Sequence, residues 1–444
     1  MCAATTYRNG WLCLAVFCFM IASCGETSRQ EESTMPDPNL IHDLNRALTM
    51  VVSEDLFPPP VAARIYAYAN ITAYEALVPA SDTFESLGAH LNEFPDIQPP
   101  EVDTWSREAA LITSYTKVAK HLVYRGFMVD SMWSQAYKKY NVDPSDEAVA
   151  EGEKWGDKLA DEIISWANAD GYNATRNLPK YEPLKAEFAW EATAPMYGEA
   201  LEPHWAKLRP FFMDSSSQFR LDLPVEFSTD ENSDFYQSAV LVKDLVNKAD
   251  SQDIGIAVYW DCNPGPTMVD GHKMQVRKQN TPGGHWMGIH AVIAKKQDQS
   301  LIRTARVYAE LMAGIADGFI AAWDTKFHHH LLRPETYINR YIDADWKPKL
   351  ESPLFPEFAS AHSAISGVAA SILDHHYGEV EFYDDTNVIF GLPPKSFDNV
   401  WQAAEEAANS RLLGGIHYKF GCALGLEQGK DIGKMIIEKV HESS

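Results

Sequence analysis

Apolar residues recur along most of this chain with the spacing of an α-helix. Within 302–322, four of them follow at every fourth position: Val307, Leu311, Ile315 and Phe319. Residues four apart lie on one face of a helix, so this stretch predicts a helix with one apolar face. The same pattern predicts helices at 61–78, 107–125, 146–168, 235–249, 362–377, 399–413 and 425–441. Since no sustained alternation indicates strands, the predicted fold class is mainly α.

One long segment, 177–234, departs from the helical pattern. Its prolines, Pro179 and Pro195 among them, are interleaved with aromatic residues such as Trp190 and Trp205. Proline interrupts a regular helix, yet a disordered linker would contain fewer aromatic residues. We therefore expect an ordered proline- and aromatic-rich strap packed over a helical body.

The N-terminus has the features of an export signal. Arg8 precedes an apolar stretch at 11–22 that is too short for a permanent membrane helix. The stretch leads into Ile-Ala-Ser-Cys24, which resembles the lipobox of bacterial lipoproteins. We expect a lipoprotein signal peptide at 1–23, a lipid on Cys24 and a polar tether at 24–38, and hence an exported bacterial lipoprotein anchored in the cell-envelope membrane. The alternative is a plain secretory signal with an incidental cysteine.

After removal of the signal peptide, the stability of the fold must come from a hydrophobic core. After signal removal, Cys262 and Cys422 are the only cysteines besides the anchor, too few for a disulfide scaffold. The chain is 45% hydrophobic and long enough for two or three domains or for one large helical domain. We predict a single helical domain at 39–444, with N-terminal helices at 39–250 and a functional half at 251–444.

The mature chain is strongly acidic. It contains 37 basic and 62 acidic residues, a net charge of −25, because the signal peptide contributes one basic residue and no acidic one. Such a surface repels nucleic acid and anionic membranes, so we expect no nucleic-acid partner and membrane contact only through the lipid. Any local cluster of basic residues in this chain therefore needs an explanation.

Two stretches in the last third of the chain are candidates for binding an anion: one contains two cationic residues, and the other contains the expected start of a helix. Lys326 and Arg333 are seven residues apart, nearly two helical turns, so we expect both on one face of a helix that ends before Pro334. Ser360 stands at the expected N-cap of a helix that begins near His362. Free N–H groups and the helix dipole favour an anion at such a point.

A third stretch brings an arginine and a histidine together. Gly414 and Gly415 would end one helix, so that His417 can turn back toward Arg411. Taken singly, these features are also typical of a solvated helix end, a hydrogen-bonded core histidine and a helix cap. Together, in an acidic protein, they need an anion to balance them. We predict a pocket for a tetrahedral oxyanion lined by Lys326, Arg333, Ser360, His362, Arg411 and His417.

The three stretches read Lys-x6-Arg-Pro, Ser-x-His and Ser-Arg-x5-His. This pattern resembles the signature shared by type 2 phosphatidic acid phosphatases and vanadium-dependent haloperoxidases, which implies a large helical bundle of that type. The resemblance implies that the oxygens of vanadate or phosphate are held by Lys326, Arg333, Ser360, the N–H of Ala361, and Arg411. It further implies that His417 is the vanadium ligand or nucleophile, that His362 is the acid/base, and that Lys326 polarises peroxide.

The sequence departs from that signature at two positions. Ala361 stands where the family usually has glycine, which would crowd the anion. Gly421 stands where the family often has an aspartate that orients the final histidine, so another group must orient His417. Both departures indicate a site less tightly tuned than those of the family's strongest oxidants.

Upstream motifs, Trp190-x2-Thr193-x-Pro195 and Pro203-x-Trp205, resemble the long bacterial haloperoxidase branch, which includes iodide-specific enzymes. This favours a vanadate-dependent haloperoxidase that uses hydrogen peroxide to oxidise a halide, iodide foremost, for transfer to a small organic acceptor. Two alternatives remain open: a nonspecific acid phosphatase with His417 as nucleophile, and a non-catalytic phosphate-binding lipoprotein. The oligomeric state is left open.

Four further residues are candidates near this site. Trp260 and Trp286 are as consistent with core packing as with a halide site, and Asp261 is a candidate carboxylate partner for a pocket histidine. His329 belongs to three consecutive histidines at 328–330. Consecutive helix residues point about 100° apart, so these three cannot share a metal ion, and we expect one or two at the pocket edge.

Overall fold

The computed structural model describes residues 35–270 and 273–442. The predicted signal peptide, Cys24 and all but the last residues of the tether lie outside the described residues. The described chain is mainly helical, which confirms the predicted fold class. Within it, none of the helices combines the length and apolar character that crossing a membrane requires.

The helices are numbered here in chain order. They are α1 Asn39–Asp55, α2 Pro59–Leu77, α3 Arg107–Leu122, α4 Gly126–Lys139, α5 Glu147–Asn168, α6 Tyr172–Thr175, α7 Asp234–Lys248, α8 Ser251–Tyr259, α9 Pro282–Lys296, α10 Leu301–His329, α11 Pro334–Tyr341, α12 Ala361–Tyr377, α13 Val400–Leu413 and α14 Lys419–Ile437. Every predicted helix is present. The last begins at Lys419 instead of 425, and α1, α4, α6, α8, α9 and α11 were not predicted. Of these, α9 lacks a clear apolar face because most of its residues are buried.

Two short antiparallel strand pairs accompany the helices within 35–270 and 273–442. In one, β1 Gly265–Asp270 pairs with β2 Lys273–Arg277; in the other, β3 Phe382–Asp384 pairs with β4 Lys395–Phe397. The rings of Phe382 and Phe397 stack 5.4 Å apart. Strands of three to six residues are too short to show sustained alternation in the sequence, so these strand pairs were not predicted.

The helices that bear the predicted site pack closely against one another. Along α14, glycines recur at every fourth position, and Gly425, Gly429 and Gly433 face α12. An added Cβ at Gly429 would collide with the Ala364 carbonyl oxygen, and one at Gly425 would lie 2.6 Å from the Ser360 oxygen. The stripe therefore lets the two backbones approach, which fixes the start of α12 against α14.

The strap is ordered and runs across α10, as predicted. The buried Asp317 carboxylate of α10 accepts the N–H groups of Phe211, Phe212 and Met213 at 2.6–3.0 Å. Burial raises the pKa of Asp317 to about 6 despite these bonds. The strap thereby satisfies a buried carboxylate in the middle of the longest described helix.

Candidate anion-binding site

Lys326 lies near the end of α10 and is fully buried. Its ammonium donates to the carbonyl oxygens of Pro356, Glu357 and Ala359 at 3.0, 2.9 and 2.5 Å. An ammonium has three protons, so these bonds use its donors and tie down the loop before α12. Burial, together with the charge of Arg333, holds the pKa of Lys326 well below its usual value.

Arg333 does not share a helix face with Lys326, and that prediction is wrong. His330 adopts a left-handed conformation (φ 55°) that ends α10, and Arg333 is the N-cap of α11. The guanidinium still reaches the site: Nη1 donates to the Ile416 oxygen at 2.8 Å and lies 3.0 Å from His417 Nε2. Its Nη2 is buried and has no partner among the described residues.

The start of α12 supplies the second part of the site. Ser360 is the N-cap, as predicted, and its Oγ accepts the Ser363 N–H at 3.3 Å. The first N–H groups of a helix have no intrahelical partner, so those of Ala361 and His362 are available to an anion. His362 is buried, and its Nε2 has no partner within the described chain. Burial and the charge of Arg411 keep the pKa of His362 well below its usual value, so the ring is neutral.

The turn after α13 supplies the third part. The helix ends at Leu413, and Gly415 has a left-handed φ of 79°, which confirms the predicted break. Arg411 is buried, and its Nη2 donates to the Ala257 oxygen at 3.2 Å. Burial lowers the pKa of Arg411 from its usual value, and the charge of Asp261 opposes that effect.

Glu357 orients His417, a role that was not assigned from the sequence. The Glu357 Oε1 lies 2.7 Å from His417 Nδ1 and accepts the Tyr418 N–H at 3.1 Å. Burial and the charge of Arg333 hold the pKa of His417 well below its usual value, so the ring is neutral. A neutral ring that donates from Nδ1 to Glu357 presents its lone pair at Nε2.

Gly421 makes room for that carboxylate. A Cβ added at Gly421 would collide with Glu357 Oε1. Burial raises the pKa of Glu357 to about 7, while the charges of Arg333 and Lys326 oppose the rise. Two features of the sequence could have indicated this role of Glu357: position 421 has no acidic side chain, and a glutamate stands three residues before Ser360.

The remaining candidates lie around the site but do not line its cavity. Trp260 is fully buried, and its ring meets that of His362 edge-on at 6.3 Å. Trp286 donates its indole N–H to Ser366 Oγ at 3.0 Å. Asp261 lies 3.9 Å from Arg411 Nη1, so it faces an arginine, whereas a histidine partner was predicted. His329 Nε2 lies 2.7 Å from the carbonyl oxygen of Leu221 in the strap.

A buried ion pair underlies Trp260. The His285 ring stacks on Trp260 at 4.5 Å, and its Nε2 lies 2.6 Å from Asp384 Oδ2. Tyr259 donates to the same oxygen at 2.6 Å. Burial opposes protonation, but the charge of Asp384 and its hydrogen bond raise the pKa of His285 to about 10. His285 is therefore an imidazolium beside the site, and it was not among the site residues predicted from the sequence.

A cavity of about 30 Å³ lies beside these groups; His362, Arg411 and His417 line it as predicted, whereas Lys326, Arg333 and Ser360 are not among its lining residues. Pockets for drug-sized ligands measure roughly 300–1,000 Å³, so this one suits a small inorganic ion. It is lined by Pro59, Asn263, Pro282, Phe319, Trp323, Pro353, Phe355, Ala361, His362, Arg411, Ile416 and His417. Unpartnered nitrogens on Arg333 and His362, with the buried Arg411 cation, fit an oxyanion. Vanadate or phosphate fits this set of donors.

Comparisons with known proteins agree with this geometry. Residues 306–444 match the family model described as the VCPO second helical-bundle domain. The crystal structure of the first bacterial vanadium-dependent iodoperoxidase superposes with a TM-score of 0.85 at 37% sequence identity, covering 91% of this chain and 97% of that one. The holo form of a bacterial vanadium-dependent chloroperoxidase gives a TM-score of 0.68 at 16% identity, covering 93% and 97% of the two chains. No curated protein sequence matches the chain.

Proposed function

This chain belongs to the vanadium-dependent haloperoxidase family, and on that premise we propose that it oxidises iodide with hydrogen peroxide, using vanadate held in the cavity beside α12. In the proposed reaction, hydrogen peroxide, iodide and one proton give hypoiodous acid and water. Iodide is oxidised, and the O–O bond of peroxide is reduced. The hypoiodous acid would then iodinate a small organic acceptor.

The observation that carries this proposal is the state of His417. Its Nδ1 is held by Glu357 at 2.7 Å, so the neutral ring has its lone pair on Nε2. Arg333 Nη1 donates to this nitrogen at 3.0 Å, and bound vanadium would take the place of that hydrogen bond. Arg333 and Arg411 would balance the charge on the vanadate oxygens, and the N–H groups of Ala361 and His362 would hold them in place. Vanadate, when bound, supplies a Lewis-acid centre that activates peroxide.

His362 is placed to move the proton of the reaction. Its Nε2 has no partner in the described part of the chain, and its lowered pKa keeps the ring neutral and able to accept a proton from incoming peroxide. The same nitrogen can return that proton to the departing oxygen. Lys326 contributes differently from the sequence-based expectation: its ammonium holds the loop that carries Ser360, Glu357 and the start of α12.

Of chloride, bromide and iodide, iodide requires the weakest oxidant in the site. It is the easiest of the three halides to oxidise, and Ala361 leaves less room around the anion than glycine would. The relative at 37% identity is an iodoperoxidase, whereas the chloroperoxidase is 16% identical. These observations support iodide over bromide and chloride.

Steady-state rates with iodide, bromide and chloride at matched peroxide, with and without orthovanadate, test the proposal. We expect activity only after vanadate loading, highest with iodide, and absent in His417→Ala while His328→Ala, an exposed control, keeps it. Bromide turnover equal to iodide turnover would contradict the halide preference. Peroxidase activity without vanadate, or faster hydrolysis of a phosphate monoester than oxidation of iodide, would contradict the reaction itself.

We also propose that the chain is exported and anchored by a lipid on Cys24. The support is the short apolar stretch at 11–22 and the lipobox-like sequence that follows it. Metabolic labelling with a clickable fatty acid in a bacterial host should mark the wild type and not Cys24→Ala, which should move to the soluble fraction. Equal labelling of both would show that the lipid is not on Cys24.

A further inference from the structure

A cluster of side chains that could hold a metal ion lies away from the anion site, where α10, the end of α12 and the C-terminal segment meet. It consists of Glu310, His376 and His441, whose ligand atoms all lie within 4.8 Å of one another. Glu310 is 16 residues before Lys326, about 24 Å along a helix that rises 1.5 Å per residue. This cluster is therefore separate from the anion cavity.

Two imidazoles converge on one carboxylate oxygen. The Nε2 of His376 lies 2.7 Å from Glu310 Oε2, and the Nε2 of His441 lies 3.1 Å from the same atom. The three residues come from the middle of α10, the end of α12 and the C-terminal segment Glu438–Glu442. Convergence from three separate elements requires the tertiary fold, so it does not arise from local sequence.

The surroundings orient the Glu310 carboxylate and leave the histidine side of the cluster open to solvent. Arg306 donates to Glu310 Oε1 at 2.8 Å, which fixes the carboxylate and leaves Oε2 directed at the histidines. Glu310 is buried, whereas His376 and His441 are 10% and 20% exposed in their side chains, so solvent reaches the cluster from the histidine side. His375 packs against both rings, 5.2 Å from His376 and 4.6 Å from His441.

We propose that Glu310, His376 and His441 form a second metal site, for a divalent transition-metal ion of the Zn²⁺ class. Two imidazole nitrogens and one carboxylate oxygen form a ligand set that Zn²⁺ and its neighbours bind at about 2.0–2.2 Å, with water completing a tetrahedral shell. On binding, each imidazole carries its proton on Nδ1 and presents the Nε2 lone pair, and the ion replaces the two N–H···O contacts with Oε2. A shell of this kind needs ligand atoms about 3.3 Å apart, close to the separations of 2.7 and 3.1 Å that the carboxylate makes.

The ion would fasten the C-terminal segment to the bundle. His441 belongs to Glu438–Glu442, where Lys439 also donates to the Phe212 oxygen of the strap at 2.8 Å. A bond network from α10 and α12 to this segment would stabilise the end of the chain against opening, because an ion that binds only the folded state shifts the unfolding equilibrium. The site is thus structural and does not take part in halide oxidation.

Titration of the untagged, vanadate-loaded protein with Co²⁺ and Zn²⁺ tests this inference. We expect one Co²⁺ per chain with the visible absorption of a tetrahedral N/O site, displacement of that ion by Zn²⁺, and a melting temperature that rises with Zn²⁺. His376→Ala and His441→Ala should each weaken Zn²⁺ binding at least 10-fold. Their haloperoxidase activity should remain at the wild-type value.

His375→Ala is the matched control, because it removes a neighbouring imidazole that is not one of the three ligands. Zn²⁺ affinity equal in His375→Ala and wild type supports the site. An equal loss in His375→Ala and His441→Ala, or an unchanged Co²⁺ spectrum in His376→Ala, would overturn it. Glu310→Gln keeps the shape of the side chain and removes its charge, so it separates ligand loss from a folding defect, and Zn²⁺ affinity equal to wild type in that variant would also overturn the site.

Discussion

Glu357 and Gly421 occupy one space: an added Cβ at Gly421 would overlap Glu357 Oε1, the oxygen that lies 2.7 Å from His417 Nδ1. The carboxylate that orients the histidine thus comes from the loop before α12, and the position where related proteins often have an acid is empty of side chain. A carboxylate should therefore be tolerated at position 421 only when Glu357 is replaced by a smaller residue at the same time.

Glu357→Gln should lower vanadate affinity and haloperoxidase activity by about 10- to 100-fold, as is typical when the partner of a metal-bound histidine is lost. The amide keeps the size of the side chain but removes the charge that fixes the tautomer of His417. Vanadate titration by calorimetry and iodide oxidation rates measure the effect. Activity within twofold of wild type would show that Glu357 does not orient the histidine.

Gly421→Asp alone should destabilise the protein, because the new side chain collides with Glu357. Combined with Glu357→Ala, the same substitution should recover part of the vanadate affinity that Glu357→Ala loses. The measurements are the melting temperature and the vanadate dissociation constant of the two single variants and the double variant. Additive losses in the double variant would contradict the shared role.

Lys326→Met should lower the free energy of unfolding by several kcal/mol even without vanadate. The substitution leaves three buried carbonyl oxygens without a donor, and each unpaired group costs about 1–3 kcal/mol. Denaturant unfolding of the vanadate-free protein measures the change. Lys278→Met, which removes an exposed lysine paired with Glu54, should change stability by less than about 1 kcal/mol. Unaltered stability in Lys326→Met would instead support a role confined to the anion.

Arg411→Ala should weaken vanadate and phosphate alike, by about 10- to 100-fold, since a charge-assisted hydrogen bond contributes roughly 1.5–3 kcal/mol. Both anions would use the same cavity, so phosphate buffer should also slow vanadate loading. Competition titrations measure this, with Arg340→Ala as control because Arg340 pairs with Glu191 near the surface. Vanadate binding that is indifferent to millimolar phosphate would indicate a separate site.

His285→Gln should destabilise the protein in a pH-dependent way. The pKa of His285 is raised from 6.5 to about 10 in the folded protein, so the stability from its protonation is fully present below pH 6.5 and is lost as pH rises toward 10. The difference in unfolding free energy between wild type and His285→Gln should therefore be largest below pH 6.5 and shrink up to pH 10. A difference that is constant with pH would mean that His285 is neutral beside Asp384.

The sequence by itself determined the helical class and the main parts of the anion site. Helical periodicity is a local property, so α10, α12 and α13 could be predicted, and helix caps depend on one or two residues, so Ser360 and Gly415 could be placed. The spacing of Arg411 and His417 around that break predicted their convergence, and both line the cavity. These features are set within about ten residues of chain.

Only the tertiary structure decided which groups serve the site. His330 ends α10 in a left-handed conformation, so Arg333 reaches His417 from the start of α11 and Lys326 turns to the carbonyl oxygens of the loop. Glu357 and His417 are 60 residues apart, and nothing local indicates that one carboxylate fills the space above Gly421. Such pairings depend on how α12 packs against α14, and periodicity does not encode the distance between two helices.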